Sequence, residues 1–575
     1  MSKKELIFIA KKGYSDLAVM SNLRIPVGVS DFEQIRKNGY YYIDKSGMIT
    51  EIIRTEPAAV TLITRPRRFG KTLGMSMLAS FFDVRRESAA LFEGLAVAKD
   101  TKLCGRWMNQ YPTVFLSLKD VDGLSFESAY GMLAATIRDL YKEHLYLLDS
   151  EAVNVYDRQE MRQIVEGRAS VTEIKRSLVL LITAMRAHYG KPVIFLMDEY
   201  DVPLSKASSY GYYEQMLEVM KALMSTTLKD NPSLKFAVLT GCLKVAKESI
   251  FTGTNNFVSD TISDSCLDEY FGFTQKDVDR LLEEAGQTER KAEIRAWYDG
   301  YHFGDFDVYC PWDVMNYLRD LEKNAEAKPM SYWKNTSDNA IIRSFIDYAG
   351  SNITGKLETL MAGGYIVQRV EENLTYDYLH SSEENLWRLL YLTGYLTRVR
   401  KEELRTDVPE GMMALKIPNA EIQEIFETTV QTWFADSARV WDRRKLFEAV
   451  WSGDVETLTK EMNTLLRTTI SYHDYGEDFY HAFLAGVFAG AGYQVESNRE
   501  HGEGRSDVVV LDLRGSRAAI FEAKCTRQLE HLESSCAEAL CQIERKGYVK
   551  DFLDSYDEVL CFGIAFYKKR CLVRR

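Results

Sequence analysis

The segment Arg65 to Thr72, RPRRFGKT, constrains the fold of this chain more than any other stretch of its sequence. An apolar stretch, Ala58 to Ile63, precedes it and predicts a β-strand, and Leu73 to Phe82 follows it with helical spacing. A strand, a Gly-Lys-Thr loop and a helix in this order are typical of a phosphate-binding loop in an α/β fold. Backbone N–H groups at the start of that helix, together with the helix dipole, would favour a bound anion.

The side chains of this loop suit the phosphates of ATP held together with Mg²⁺. Lys71 can contact the outer phosphates, and the Thr72 hydroxyl can ligate the metal. We predict that the nucleotide-binding residues are Arg67, Arg68, Phe69, Gly70, Lys71 and Thr72. The full pattern has a glycine five residues before Gly70, where this chain has Arg65, so the motif by itself also fits a loop without a ligand.

An acidic pair follows a second apolar segment. Val193 to Met197 is apolar throughout, as in a strand buried on both faces of a parallel sheet, and it is followed by Asp198 and Glu199. We predict that Asp198 binds Mg²⁺ and that Glu199 orients or deprotonates the attacking water, although a solvated acidic turn is the alternative. A further strand, Lys235 to Leu239, is followed by Thr240, which we predict to sense the terminal phosphate.

Length and composition predict a globular protein of several domains. The chain has 575 residues, of which 46% are hydrophobic and 27% charged. Its net charge of −12 weighs against non-specific coating of DNA, but a local basic patch at Arg65, Arg67 and Arg68 is compatible with it. The nine cysteines form no Cys-x-x-Cys pair, and no apolar run is long enough for a signal peptide or a membrane span, so we expect reduced thiols and a cytoplasmic protein that does not contact membranes.

A second group of reactive side chains lies near the C-terminus. Ser506 to Leu513 and Arg517 to Lys524 predict the two strands of a hairpin, in which Asp507 lies opposite Glu522 and Lys524. A pair of carboxylates suits Mg²⁺, and Lys524 can position water and stabilise charge on a phosphate. From spacing alone, an amphipathic hairpin with surface charges fits equally well.

Helices are predicted on both sides of this hairpin. The preceding helix begins near Glu477, which can reach the same metal, and its apolar stripe consists of Phe479, Phe483, Val487 and Phe488. The following helix carries Gln542, with Tyr548 close to its end.

The middle of the chain is less informative. Phe271 to Lys323 predicts helices, and its aromatic residues fit a core better than a base-stacking surface; they are Trp297, Tyr298, Tyr301 and Phe303. Asn385 to Gly394 predicts a helix, and Tyr395 to Lys401 and Met412 to Ile417 predict two strands. This pattern fits either a winged-helix module or a helical lid.

These motifs together resemble a bacterial and archaeal family that joins an AAA-ATPase-like domain to a C-terminal nuclease-like domain of the PD-(D/E)xK superfamily. The resemblance covers nearly all of the chain from Ile25 onward. The segments that carry it are Ile25 to Ile49, RPRRFGKT, Leu196 to Asp201, Leu239 to Phe257, Trp297 to Gly304, and the GRSDVVV and IFEAK strands. The family's phosphate loop is similar to RPRRFGKT itself, whereas Lys244 stands where an arginine is expected.

The resemblance implies a second catalytic site. By it, Asp507, Glu522 and Lys524 are the nuclease triad, and Gln542 and Glu477 match accessory positions on the flanking helices. The predicted catalytic residues are Asp198, Glu199, Thr240, Asp507, Glu522, Lys524 and Gln542. The predicted metal ligands are Thr72, Asp198, Glu477, Asp507 and Glu522.

We therefore predict an α/β protein with four segments. They are an N-terminal extension (1–24), an AAA-ATPase-like P-loop domain with a parallel sheet (25–270), a helical lid or winged-helix region (271–430) and a PD-(D/E)xK nuclease-like α/β domain (431–575). The expected activity is ATP hydrolysis coupled to Mg²⁺-dependent cleavage of nucleic acid, DNA above all. The alternative is a nucleotide-gated switch whose C-terminal domain binds a partner or nucleic acid without cutting it. A homo-oligomer is compatible with either alternative.

Overall fold

The computed structural model describes residues 23–54, 60–244, 257–333, 356–357, 359–370, 383–438, 444–469, 477–489, 493–501, 504–526, 528–568 and 570–575. Within these residues the chain forms two compact units, 23–332 with 369–402, and 333–368 with 403–575. The four predicted segment boundaries stay predictions. Residues 1–22 of the predicted extension, the first two residues of the predicted strand at 58–63, and residues 245–256 lie outside the described residues.

The first unit alternates strands with helices. Its strands are β1 (Val60–Thr64), β2 (Thr113–Ser117), β3 (Val193–Asp198), β4 (Leu234–Gly241), β5 (Phe257–Asp260), β6 (Phe273–Thr274), β7 (Tyr301–Phe303) and β8 (Phe306–Tyr309). Its helices up to residue 323 are α1 (Phe32–Lys37), α2 (Gly47–Arg54), α3 (Lys71–Phe82), α4 (Ala89–Phe92), α5 (Thr101–Trp107), α6 (Phe126–Lys142), α7 (Val155–Val165), α8 (Val171–Tyr189), α9 (Val202–Tyr210), α10 (Tyr213–Leu228), α11 (Gln275–Ala285), α12 (Lys291–Tyr298) and α13 (Pro311–Lys323).

A five-stranded parallel sheet forms the centre of this unit and confirms the predicted α/β fold. The strand order is β2-β3-β4-β1-β5, and all neighbouring strands are parallel. Every residue of β1 and β3 is buried, which explains the apolar run from Val193 to Met197 in β3 and the mostly apolar sequence of β1. Because the strands are parallel, the C-terminal ends of β1, β3 and β4 lie at one edge, with β4 between the other two.

Helix boundaries in this unit follow local sequence signals. The helix α8 begins with a capping box in which the Ser170 and Glu173 side chains each bind the other's backbone N–H, and it ends at Gly190 in the left-handed conformation. The helix α3 begins directly after the Gly-Lys-Thr glycine, Gly70, and packs against β2, β3 and β4. The first turn of α3 therefore lies at the edge of the sheet where the strands end.

The prediction of helices alone for Phe271 to Lys323 is wrong in part. The strands β6, β8 and β7 form a small antiparallel sheet among the helices α11 to α13. Gly304 and Asp305 form the two-residue turn between β7 and β8, and Gly304 has a φ of 49°. The aromatic residues of this region form a core, as expected, because Tyr298, Tyr301 and Phe303 are buried.

The segment between residues 366 and 416 contains short elements. They are β9 (Ile366–Arg369), α14 (Glu383–Leu392), β10 (Thr397–Arg398) and β11 (Met412–Lys416). The predicted helix and both predicted strands are present, although β10 is only two residues long. The choice between a lid and a winged-helix module stays open.

The second unit carries a mixed sheet at its C-terminal end. Its remaining elements are α15 (Ala420–Ala438), α16 (Arg444–Ser452), α17 (Val455–Thr469), α18 (Glu477–Ala489), β12 (Gln494–His501), β13 (Gly504–Asp512), β14 (Arg517–Cys525), α19 (Leu532–Lys546), α20 (Lys550–Leu553), β15 (Glu558–Tyr567) and β16 (Arg570–Arg574). The strands follow one another in order, with β14 and β15 parallel and the other neighbours antiparallel.

Two helices cover this mixed sheet. Phe488 of α18 packs against Phe521 of β14, with ring centroids 4.7 Å apart. Ile520, the preceding residue of β14, packs with Ile543 of α19. Because adjacent residues of a strand point to opposite faces, α18 and α19 lie on opposite sides of the sheet. The predicted hairpin and its two flanking helices are thus confirmed.

Candidate active sites

The loop before α3 has the backbone of an anion-binding turn. Arg68 and Gly70 both have positive φ angles, 73° and 84°, and α3 begins at Lys71. A Cβ at Gly70 would meet no atom within 4 Å, so the left-handed conformation, and not lack of space, favours glycine there. The first turn of α3 directs its backbone N–H groups toward this loop.

Asp198, at the end of β3, is joined by two hydrogen bonds to two other predicted site residues, Thr72 and Thr240. The Thr72 hydroxyl donates to one carboxylate oxygen at 2.7 Å, and the Thr240 hydroxyl donates to the other at 2.5 Å. Asp198 is fully buried. The strand order explains this arrangement, because β4 places Thr240 between the P-loop strand and the acidic strand. The segments that carry the two predicted Mg²⁺ ligands, Thr72 and Asp198, therefore meet in space.

The ammonium group of Lys71 lies against its own loop. It donates to the carbonyl oxygens of Arg65 at 2.9 Å and Pro66 at 2.8 Å, and lies 3.8 Å from the Cys242 sulfur. Lys71 is 6% exposed. The loop thus holds a positive charge beside the start of α3, where Lys71 was predicted to meet phosphate.

Glu199 lies directly after β3 in a strained and partly buried position. Its φ is 54°, which is uncommon for a residue with a side chain. Burial raises the pKa of Glu199, the negative charge of Asp198 raises it further, and the positive charges of Lys71 and Arg67 oppose the shift. Glu199 therefore keeps a proton to a higher pH than an exposed glutamate does, as suits a group that exchanges protons.

Asp201 has a supporting role that the sequence did not reveal. Its carboxylate accepts the backbone N–H groups of Cys242 at 3.0 Å and Leu243 at 2.9 Å. A Cβ at Gly241 would lie 2.6 Å from an oxygen of Asp201 and from the ring of Tyr200. Close packing therefore fixes the end of β4, and with it the position of Thr240.

Arg65 replaces the first P-loop glycine with a buried structural contact. It is completely buried, forms an ion pair with Asp260 at the end of β5, and also donates to the Asp260 carbonyl at 3.0 Å. Its guanidinium lies 5.3 Å from the ring centroid of Phe271 and 5.7 Å from that of Phe303. Arg65 is therefore not part of a surface basic patch; it ties β1 to the edge strand of the sheet.

Restoring the missing glycine is expected to damage the protein. Arg65→Gly removes one partner of a buried ion pair, which typically costs about 3–5 kcal/mol because the remaining carboxylate stays buried without its counter-charge. We expect a lower midpoint of denaturation, followed by intrinsic fluorescence of the full chain. Arg67→Gly is the matched control, since Arg67 is an exposed residue of the same loop. Equal midpoints for the two variants would contradict a structural role of Arg65.

The other predicted loop residues lie in different surroundings. The Phe69 ring is buried, with centroid distances of 4.9 Å to both Tyr301 and Phe303, so only its backbone is placed to meet a nucleotide. The Arg68 guanidinium lies 4.5 Å from the ring centroid of Trp312. The β7–β8 region and α13 therefore pack directly against the P-loop.

The residues at this edge fit a nucleotide with a divalent cation. The set comprises backbone N–H groups at a helix start, the Lys71 ammonium, the Thr72 hydroxyl hydrogen-bonded to the Asp198 carboxylate, and the neighbouring Glu199. Hydroxyl and carboxylate oxygens are ligands that Mg²⁺ prefers. The assignment of individual roles stays a prediction.

The second site lies where β13 and β14 separate. Their ladder of paired residues runs from Asp512–Arg517 to Val508–Phe521. One residue further, the Asp507 carboxylate accepts the Ala523 backbone N–H at 2.7 Å in place of a strand partner. Asp507 thus lies opposite the Glu522 segment, as the hairpin pattern predicted.

Glu522, Lys524 and Gln542 meet beside Asp507. The Lys524 ammonium lies 3.7 Å from the Glu522 carboxylate, and the Gln542 amide donates to the same oxygen of Glu522. Glu522 is 1% exposed and the Lys524 side chain 15%. Burial raises the pKa of the nearby Tyr548 hydroxyl, the Gln542 hydrogen bond opposes the rise, and the charges of Glu522 and Asp507 add to it. Asp507, Glu522 and Lys524 therefore lie on the face of the sheet that α19 covers, and Gln542 reaches Glu522 from α19.

His481 of α18 supports the same strand and was missed in the sequence. Its Nε2 contacts the backbone carbonyl of Asp507 and lies 3.1 Å from the Ser497 hydroxyl. Because a carbonyl only accepts, Nε2 carries the proton. His481 is four residues after Glu477 on one helix, so both residues lie on one helix face, which was a usable signal.

The carboxylates of the second site fit a hard divalent cation. Mg²⁺ is commonly held by one or two carboxylates with water in the other positions, and Asp507 and Glu522 supply two. The side chain of Glu477 lies outside the described residues, so its predicted metal role stays a prediction. Among the residues that the structure describes, no group of three or more His, Cys, Asp or Glu side chains is arranged as a metal cluster.

Fold and geometry together define a protein with a P-loop α/β domain and a second domain built on a mixed sheet, and comparisons with known proteins agree. Residues 26–251 match the family described as predicted AAA-ATPase, and residues 475–575 match the PD-(D/E)XK nuclease superfamily. The chain thus joins an AAA-ATPase-like domain to a domain of the PD-(D/E)XK nuclease superfamily, and the resemblance seen in the sequence is confirmed.

One relative matches almost the whole chain. It is the "Uncharacterized protein in vnfD 5'region" of Azotobacter chroococcum mcd 1, which is 25% identical over 558 residues, 95% of this chain and 97% of the relative. Its name describes no activity. The match therefore shows that the similarity extends over both domains. The chemistry has to be inferred from the residues of the two sites.

Proposed function

We propose that the protein hydrolyses ATP in its first unit and cleaves nucleic acid, with DNA as the first candidate, in its second. The observation that carries the proposal is the meeting of Thr72, Asp198 and Thr240 through two hydrogen bonds at the edge of a parallel sheet. The grouping of Asp507, Glu522 and Lys524 supports the nuclease half. ATP and Mg²⁺ are the proposed cofactors.

In the first site, each residue has a separate task. Backbone N–H groups of the loop and the Lys71 ammonium would bind the phosphates. Thr72 and Asp198 would hold Mg²⁺, which when bound offsets the negative charge of the phosphates. Glu199 would accept a proton from water, and Thr240 would hold Asp198 in position and contact the terminal phosphate.

In the second site, Asp507 and Glu522 would hold a divalent cation that supplies a Lewis acid beside a phosphodiester. Lys524 would orient water and stabilise charge on the phosphate oxygens. Gln542 would fix the Glu522 carboxylate, and the Ala523 N–H would fix that of Asp507. Glu477 is proposed as an additional metal ligand.

A metal titration tests the nuclease half. Mn²⁺ is expected to raise the melting temperature of the wild-type chain, because binding to the folded state stabilises it, and to support cleavage of DNA or RNA. Asp507→Asn is expected to lose both effects. Asp512→Asn is the matched control on the same strand, since Asp512 pairs with Arg517 at the other end of the hairpin.

The outcome also separates the two functional hypotheses. The nucleotide-gated switch would be favoured if the wild-type chain binds ATP and nucleic acid but cleaves no nucleic acid in the presence of Mg²⁺ or Mn²⁺. A melting shift retained in Asp507→Asn would contradict the proposed metal site.

We further propose a cytoplasmic location, because no disulfide is formed by the cysteines that the structure describes and a reducing compartment would keep them as thiols. Among the described residues, no helix has the length and apolar composition required to cross a membrane. A homo-oligomer is compatible with the proposed ATPase, since related phosphoryl-transfer sites can receive an arginine from a neighbouring protomer.

A further inference from the structure

His481 is a buried polar residue on the largely apolar helix α18. Its neighbours on the helix include Tyr480 and Phe483, which are fully buried, and His481 itself is 6% exposed. Burial of an imidazole is unfavourable unless its polar atoms form hydrogen bonds. The Nε2–H of His481 donates to the backbone carbonyl of Asp507, and Nε2 lies 3.1 Å from the Ser497 hydroxyl. The imidazole is therefore placed to hold the backbone of one proposed metal ligand.

Packing near both ends of α18 fixes the position of this imidazole. The Tyr480 ring stacks on Phe566 of β15, with ring centroids 4.2 Å apart and an angle of 8° between the ring planes. The Tyr480 hydroxyl also donates to the backbone carbonyl of Lys568 at 2.7 Å. About two turns further along the helix, Phe488 packs on Phe521 of β14. Because these contacts fix the rotation of the helix, the imidazole is directed at β13 before any metal binds.

Asp507 is held at two points, by its side chain and by its backbone. Its carboxylate accepts the Ala523 backbone N–H at 2.7 Å on the side of the sheet that α19 covers. Its carbonyl accepts the N–H of His481, which comes from α18 on the opposite side. Both contacts lie one residue beyond the last pair of the β13–β14 ladder, Val508 and Phe521. They therefore determine the position of Asp507 where the regular pairing with β14 has ended.

We propose that His481 is a positioning residue of the second site, which sets the affinity for a divalent cation by holding the backbone of Asp507. This inference rests on the proposed nuclease function. A carboxylate whose backbone is already fixed loses less freedom when it binds a metal, so preorganisation raises the affinity. His481 contacts neither metal nor substrate in this role, because its N–H is directed at the Asp507 carbonyl. Loss of groups that orient a metal ligand typically lowers metal affinity by about 10–100-fold.

Three substitutions of His481 test this role. His481→Leu removes the N–H donor, so we expect the Kd for Mn²⁺ to rise by about 10–100-fold. His481→Gln keeps an amide donor of similar reach and should recover part of the affinity, whereas His481→Asn, one methylene shorter, should not. The Kd is obtained from the rise in melting temperature of the full chain during a Mn²⁺ titration. If the leucine variant does not fold, the difference in Kd between the two amide variants decides the question.

Asn463→Leu is the matched control, because Asn463 of α17 holds the backbone of another strand in the same sheet. Its amide N–H donates to the Cys571 carbonyl at 2.9 Å, and its amide oxygen accepts the Cys571 N–H at 2.9 Å. This variant should melt at a lower temperature but bind Mn²⁺ with the wild-type Kd. A wild-type Kd in both His481→Leu and His481→Asn, or an equal rise of Kd in Asn463→Leu, would overturn the role of His481 and leave the proposed nuclease intact. No binding of Mn²⁺ by the wild-type chain would overturn the proposed metal site itself, and this inference with it.

Discussion

ATP turnover by the Lys71→Ala variant is expected to fall by about 10²–10³-fold, the usual cost of removing one preorganised charge or donor from a transition state. In the structure the Lys71 ammonium is held by two carbonyl oxygens of its own loop, so it is placed beside the first turn of α3 before any ligand binds. Alanine removes the only side-chain charge contributed by the Gly-Lys-Thr motif. Phosphate release from ATP, measured at saturating Mg²⁺, checks the prediction.

Lys191→Ala is a suitable control for this experiment. Lys191 precedes β3, so it lies at the edge of the sheet opposite the strand ends, and it donates to the Gln110 carbonyl at 2.9 Å. Its loss should leave turnover unchanged. An Lys71→Ala variant that melts as the wild type does and hydrolyses ATP at the wild-type rate would remove the basis for the ATPase assignment.

Local patterns of apolar and polar residues were sufficient to predict the strands that carry both sites. The strand β3 is apolar from Val193 to Met197 because it is buried on both faces, and that signal is visible in the sequence. The hairpin of β13 and β14 was predictable because a period of two fixes which residues share a face. Once those strands were placed, the proximity of Asp507 to Glu522 followed from the register.

Long-range partners were not predictable in this way. Arg65 finds Asp260 195 positions along the chain, and nothing near RPRRFGKT indicates that this arginine is buried. The same holds for Asp201, because the backbone N–H groups that donate to its carboxylate follow β4 and not its own strand. Such contacts depend on strand order, which determines that β1 lies between β4 and β5.

Two misses came from local signals that were present. The Gly304-Asp305 dipeptide between two short aromatic segments is typical of a two-residue hairpin turn, yet helical flanks on both sides favoured helix. His481, four residues after Glu477, was passed over because a histidine on an apolar helix carries little information alone. The role of His481 is recognisable only when the packing of α18 against β13 is known, because that packing brings its Nε2 into contact with the Asp507 carbonyl.

Cleavage of nucleic acid is expected to fall by about 10³-fold or more in Lys524→Met, which keeps the length of the side chain and removes its charge. The Lys524 ammonium lies beside Glu522, and both side chains are largely shielded from water. A charge in such surroundings interacts more strongly with a phosphate than it does in bulk solvent. The rate of cutting of a labelled duplex in Mn²⁺ is the direct measurement. ATP turnover in the same variant should stay at the wild-type level, because Lys524 belongs to the second unit.

The buried Glu522 requires a second variant, because loss of Lys524 also removes a nearby counter-charge and can lower stability. Lys524→Met combined with Glu522→Gln removes both charges, so its melting temperature should recover while cleavage stays absent. Lys460→Ala is the lysine control. Lys460 lies on α17, which packs against β16, and β16 is two strands away from β14 in the sheet. Wild-type cleavage in Lys524→Met would exclude this hairpin as the nuclease site, whereas loss of cleavage with recovered stability in the double variant would separate a catalytic role from a structural one.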